Sequence, residues 1–144
     1  MYNTALRIVQ DEDEAADILQ EAFIDAFTRL DSFRQESTFG LWIKQIVVNK
    51  SISTLRKRKL DLKPLEDGEQ VAEEEQEEND VELRVETIKE AISKLPAGYR
   101  LVLTLYLLEG YDHEEIAHIL RISEATSRSQ FLRGKRKLLE CLAN

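Results

Sequence analysis

Apolar residues recur along this chain at steps of three and four, the signature of amphipathic helices. Residues 1–10 read as the last turns of a helix that opens abruptly, without a cap. The first well-formed helix is predicted over residues 11–33. Ala15, Leu19, Ala22, Phe23, Ala26, Phe27 and Leu30 form its apolar stripe, and Asp17, Gln20, Glu21 and Asp25 lie on the opposite face. The acids at 11–14 suit the positive end of its dipole. After a polar connector at 34–37, a second helix is predicted over 38–59, with Phe39, Trp42, Ile43, Ile46 and Val47 as its buried side. Its far end is cationic, with Arg56, Lys57, Arg58 and Lys59 in succession.

The periodicity stops at residues 61–79. LKPLEDGEQ breaks helix, and EEEQEEN carries too dense a charge to collapse, so this stretch reads as an acidic, self-repelling linker between two domains. A capping-box pattern, Asn79 with Glu82, then opens a helix that runs to about Leu95. Pro96-Ala97-Gly98 makes a turn. A helix apolar on all sides follows over 99–109, the centre of a small bundle, with Gly110 as its C′ residue.

The last stretch, 111–142, is YDHEEIAHILRISEATSRSQFLRGKRKLLECL. Asp112 and Glu115 form another capping-box pattern, Arg121-Ile122-Ser123 is long enough only for a turn, and Ser123 is a ready N-cap for a longer second helix. That second helix starts with small polar residues and ends with Arg133, Lys135, Arg136 and Lys137. The pattern is that of a helix-turn-helix, with short polar residues for base edges and cations for phosphates. An ordinary helical hairpin with a solvated basic end would look similar.

Composition narrows the classes. The 144 residues hold 5 Gly and 2 Pro beside abundant charge, which favours an all-α protein. No run approaches the roughly 18 apolar residues of a membrane span, and no basic, apolar leader opens the chain, so the expected location is cytoplasmic. The single Cys141 cannot form an internal disulfide, and no Cys/His cluster has metal-ligand spacing, so neither metal nor cofactor is expected. His113 and His118 lack an evident nucleophile or carboxylate partnership, and no enzymatic activity is expected.

The net charge of −8 is unevenly spread. Residues 1–31 carry eight acids and two bases, 32–59 carry one acid and seven bases, and 60–80 carry ten acids and one base. A segregated chain suggests segregated partners. On the residues alone, the acidic face of the first helix is a solvated surface. The aromatics beside the cationic helix are either core anchors or a platform for unstacked bases. Phe39 is expected in the core, and Trp42 stays open between the two.

Two long segments carry a family resemblance. DEDEAADILQEAFIDAF (11–27) and DSFRQESTFGLWIKQIVVNKSISTLRKRK (31–59) resemble the second conserved region of bacterial sigma-70-type initiation factors of the extracytoplasmic-function (ECF) group. LPAGYRLVLTLYLLEGYDHEEIAHILRISEATSRSQFLRGKRKLLE (95–140) resembles their fourth conserved region. Both stand in the family's order and together span nearly the whole chain.

The resemblance implies two small helical domains. A region 2-like three-helix bundle at 1–60 is joined by the acidic linker at 61–79 to a region 4-like four-helix domain at 80–144. It further implies a sigma factor that directs core RNA polymerase to promoters and helps melt the DNA. Asp17, Gln20 and Glu21 would meet the β′ clamp helices, and the polymerase β flap would be a further partner. Trp42, Asn49, Arg56, Lys57 and Arg58 would serve the minus-10 element and strand opening, with the 33–39 connector as a base-capturing loop. Thr126, Ser127, Arg128 and Gln130 would make base or near-base contacts at the minus-35 element, and Arg133, Lys135 and Arg136 would hold phosphates. An anti-sigma factor would hold the protein inactive.

The chain departs from the family's usual Gly at Ala125, apolar residue at Ser127 and cation at Gln130. These departures point to Ser127 and Gln130 as the seat of this protein's own specificity. The family's first helix also begins well before Met1, and the linker is richer in carboxylates than expected, either keeping it off DNA or mimicking nucleic acid in the polymerase. The alternative is a stand-alone helix-turn-helix regulator, for which the aromatic and basic helix at 38–59 has no evident use. A third reading is a helical adaptor that binds only protein.

Overall fold

The computed structural model describes residues 1–33, 37–58 and 85–143. The chain divides into two compact units, Met1–Leu60 and Asp61–Asn144, and the described residues of both are helices, turns and short connections without a strand. The acidic segment expected at 61–79 and the Asn79/Glu82 capping box lie outside the described residues.

The first unit is three helices, each packed on the other two: α1 (Tyr2–Val9), α2 (Glu12–Thr28) and α3 (Phe39–Lys57). α1 begins without a side-chain cap and ends at Gln10, whose φ of 56° returns its N–H to the Leu6 carbonyl. Asp11 caps α2 by accepting from the Glu14 N–H at 2.9 Å, and Thr38 caps α3 by accepting from the Leu41 N–H at 3.2 Å. The core includes Ala5, Ile8, Ala15, Ile18, Ala22, Ala26, Ile43, Val47, Ile52 and Leu55.

The buried face of α2 is narrower than the sequence stripe. Ala15, Ile18, Ala22 and Ala26 are buried, whereas Phe23, Phe27 and Leu30 are exposed, Phe27 at 70%. The alanines let the neighbouring helices approach closely. α1 has 8 residues, about 12 Å of helix at 1.5 Å per residue, against 17 in α2. Phe39 is likewise outside the core, 40% exposed in the first turn of α3.

The second unit holds α4 (Val85–Ser93), α5 (Ala97–Leu103), α6 (His113–Leu120) and α7 (Glu124–Ala143). α5 continues into a π-helical turn, Thr104–Leu108, and Gly110 follows with φ 79°, the left-handed backbone the sequence predicts there. α7 packs on α5, α6 and α4 and so forms the spine of the unit. Ala91, Ile92, Leu95, Tyr99, Leu103 and Leu138 make a buried cluster along it. The α5–α7 crossing is tight because Gly134 has no side chain. A Cβ there would stand 3.2 Å from both the Leu103 Cδ1 and the Tyr99 Cβ.

Candidate nucleic-acid interface

Successive residues of a helix are rotated by about 100°, and on α3 this gathers Trp42, Asn49, Ser53, Arg56 and Lys57 on one side. Ile43, Val47, Ser51, Ile52 and Leu55 face the bundle. Asn49, Ser53 and Lys57 are exposed, and Trp42 and Arg56 are half-buried. At the N-terminal end of this face Trp42 joins two phenylalanines. Its ring centroid lies 5.2 Å from that of Phe33 and 5.8 Å from that of Phe39, and the two phenylalanines meet edge-on at 5.8 Å. The connector thus closes onto the helix through aromatic contacts. Residues 34–36 of the expected base-capturing loop lie outside the described residues.

Arg58 reaches back from the end of α3 to the other two helices. Its Nη1 donates to the Val9 carbonyl at 3.1 Å, and its Nη2 pairs with the Glu14 carboxylate, so the guanidinium joins the end of α1 to the start of α2. Lys50 bridges α3 to α2 differently, with its Nζ 2.6 Å from Asp25 Oδ2 and 4.0 Å from Glu21 Oε2. The hydrogen bond from Lys50, reinforced by its charge, holds the Asp25 carboxyl below the usual carboxylate range. Asp17, Gln20 and Glu21 are exposed together on the outer face of α2. Ile24 and Phe27 continue that face and are 58% and 70% exposed.

In the second unit the hairpin is built by its caps. Asp112 accepts from the Glu115 N–H at 2.8 Å, and the Glu115 carboxylate accepts from the Asp112 N–H at 3.2 Å, which completes the capping box. Arg121 closes α6 with φ 56°, and the next N–H, of Ile122, returns to the Ala117 carbonyl at 3.0 Å. Ser123 caps α7, accepting from the Thr126 N–H at 3.0 Å while its hydroxyl donates to Thr126 Oγ1 at 2.7 Å. The outer face of α7 presents Ala125, Arg128, Ser129, Lys135 and Arg136, all exposed. Arg128 pairs with Glu124 one turn back. Such a face offers a fork-shaped donor and a small hydroxyl at the start of the helix and further cations along it.

The sigma-70 region 2 family description matches residues 1–60, and the sigma-70 region 4 description matches residues 86–138. The chain is 32% identical to the RNA polymerase sigma-H factor of Pseudomonas aeruginosa, over 95% of this chain and 77% of that one. It is also 32% identical to the ECF sigma factor SigM of Bacillus subtilis, over 96% and 85%. Among solved structures, the sigma factor RpoE of Bartonella quintana, crystallised with the anti-sigma factor NepR, is similar at 26% identity and a TM-score of 0.65, covering 99% of this chain and 89% of that one. The chain belongs to the sigma-70 family, in its ECF group.

Within this sigma factor, accessibility divides the residues singled out from sequence. Asn49, Lys57, Arg128, Lys135 and Arg136 are exposed, while Trp42, Arg56, Thr126 and Arg133 are half-buried. Two stand elsewhere than the sequence reading put them, and a third is tied up within its own unit. Arg58 is exposed but committed to the Val9 carbonyl and the Glu14 carboxylate, as above. Ser127 is fully buried, its Oγ 2.8 Å from His113 Nδ1. Gln130 is 3% exposed and lies against α5, with its Oε1 close to Gly98. Both fall on the arc of α7 that carries Gly134 and Leu138, so they belong to the packing of the hairpin and not to its outer face. Ser129, at the opposite side of the same turn, is the exposed hydroxyl that the sequence reading left out of the interface. The helical period alone could have separated 127, 130, 134 and 138 from 125, 128, 129 and 136.

Proposed function

We propose that this sigma factor binds core RNA polymerase through the outer face of α2, engages the minus-10 element with α3, and reads the minus-35 element with the start of α7. The observation that carries the reading is the tandem order of a region 2 and a region 4 match in one chain, each presenting an exposed cationic helix. On α2, the exposed Ile24 and Phe27 beside Asp17, Gln20 and Glu21 supply what a protein-docking face needs, a desolvated apolar centre with an acidic margin. This promotes the acidic face from solvated surface to interface. On α3, Asn49, Arg56 and Lys57 track a single strand, and the Phe33–Phe39–Trp42 rings offer flat apolar surface to an unstacked base.

On α7, Arg128 and Ser129 take the base-edge role, with Thr126 beside them at the cap. Arg133, Lys135 and Arg136 hold phosphates. The protein has no catalytic function of its own in this reading and acts where the polymerase is, in the cytoplasm. No described helix is long and apolar enough to cross a membrane. An anti-sigma factor of the kind found with the Bartonella quintana relative is the expected regulator.

The test is run-off transcription with purified core polymerase over a promoter library. Transcripts that depend on the protein, from promoters sharing two spaced elements, are expected. Failure of the protein to associate with core polymerase would sink the reading. Substituting Arg128 together with Arg133 should abolish upstream-element recognition and leave polymerase association intact.

A further inference from the structure

We propose that Lys50 is a DNA-backbone contact held in reserve, neutralised in the free protein by Asp25 and Glu21 of α2 and available to a single-strand phosphate once those carboxylates are engaged elsewhere. The inference rests on the reading of α3 as the strand-binding helix.

Lys50 follows Asn49 directly and stands about 80° around the helix from Trp42, at the border between the exposed face of α3 and the side packed on α2. Its Nζ is 2.6 Å from Asp25 and 4.0 Å from Glu21, and the side chains are 26%, 35% and 67% exposed respectively. The Asp25 carboxyl, held below its usual range by the Lys50 hydrogen bond, stays ionised at any physiological pH.

Lys50 and Arg58, the residue just past the end of α3, are held in different ways. Arg58 is anchored by a backbone carbonyl as well as a carboxylate, so leaving its place would strand the Val9 oxygen. Lys50 is held by two partly exposed carboxylates at the end of a flexible four-carbon stem, and water can replace either partner. Glu21 shares the outer face of α2 with Asp17 and Gln20. A cationic surface docking there competes directly for the carboxylates that neutralise Lys50. Release adds one positive charge to the flank of a face that already carries Asn49 and Lys57.

The experiment reads the affinity of the full chain for a labelled single-stranded oligonucleotide by fluorescence anisotropy across a salt titration. Asp25→Asn is expected to tighten binding several-fold at low salt and to steepen the log–log salt dependence by about 0.7, one added phosphate contact on a single strand. Adding Lys50→Gln to that variant should abolish both gains. Asp13→Asn, the same charge change at the exposed start of α2, should give neither. An unchanged affinity and slope in Asp25→Asn, or gains that survive Lys50→Gln, would overturn the proposal.

Circular dichroism establishes that the variants are folded. If Asp25→Asn does not fold, the polymerase-bound wild type and Lys50→Gln decide the matter. A slope shallower by about 0.7 in the variant supports the contact, and an equal slope overturns it. Loss of core-polymerase binding by the wild type would instead fault the docking role of α2 and leave the free-protein result standing.

Discussion

The Nδ1 of His113, the first residue of α6, lies 2.8 Å from the Oγ of Ser127 on α7, so the two helices of the DNA-reading hairpin are joined by a polar contact inside their packing. The imidazole stacks on Tyr106 at 4.7 Å and meets Phe131 edge-on at 5.5 Å. Burial, with the Arg128 charge acting in the same direction, lowers the His113 pKa from its ordinary 6.5. With the folded value below the unfolded one, the contribution of this group to stability is complete above about pH 6.5. It is lost as pH falls through the folded value. Thermal melts of the wild type should therefore lose more stability between pH 7.5 and 5 than melts of His113→Asn. Parallel curves would show that His113 does not couple protonation to folding.

Removing the other partner separates packing from recognition. Ser127→Ala leaves the imidazole nitrogen without its hydroxyl and should cost about 0.5–1.5 kcal/mol, the usual worth of one such bond. Because Ser127 is fully buried, the base preference at the minus-35 element should not change. Selection of bound promoters from a randomised upstream element checks this. A shifted preference would mean that the hydroxyl reaches the DNA.

Gln130 is the second buried departure. Its Nε2 is enclosed and makes no hydrogen bond, and an unpaired buried amide carries a desolvation cost. Gln130→Met keeps the length of the side chain and removes the polar group. It is expected to raise stability by about 1 kcal/mol, seen as a higher denaturation midpoint with an unchanged denaturant slope. A lower midpoint would show that the amide is satisfied in solution.

Ser127 and Gln130 also mark where the sequence stopped being legible. The helices, the caps at Asp112 and Ser123 and the left-handed Gly110 follow from local rules, because each depends on residues within one turn of itself. Which side of a helix is buried depends on partners distant in sequence. Phe23 and Phe27 on α2 and Phe39 on α3 look like core from their spacing, yet all three are exposed. Ser127 and Gln130 are polar at the start of a basic helix, and polarity there suggests DNA. The tight contact with α5 at Gly134 confirms that their face of α7 is the one turned inward. Arg58 was unreadable for the same reason, since its partners Val9 and Glu14 lie more than forty residues away in sequence.

Gly134 is the position where α5 and α7 come closest, and even a Cβ there would be tight against Leu103 and Tyr99. Gly134→Val adds branches beyond that Cβ in the middle of a long helix. The helices must separate or the side chains leave their rotamers, at a cost of about 1–3 kcal/mol, on top of any effect on helix propensity. The expected result is a lower unfolding midpoint. Weaker binding of a minus-35 duplex in the presence of polymerase should accompany it, because the same crossing supports the outer face of α7. Unchanged stability would show that the crossing has room to spare.

The Arg58 guanidinium ties three elements of the first unit, since it sits at the end of α3, donates to the last carbonyl of α1 and pairs with Glu14 near the start of α2. Removing it leaves the Val9 oxygen without its donor and the Glu14 carboxylate without its counter-charge. Arg58→Met, which preserves the apolar stem, should therefore cost about 1–3 kcal/mol. Glu14→Gln should cost less, because the amide still accepts from the guanidinium. If the two residues act as a pair, the double variant will lose less than the sum of the single losses. A residue serving only DNA would behave otherwise: Arg58→Met would leave the unfolding midpoint in place and flatten the salt dependence of strand binding. Measuring both quantities on the same variant separates a structural tie from a phosphate contact. The contacts of Arg58 with Val9 and Glu14 predict that stability will fall while the salt slope holds.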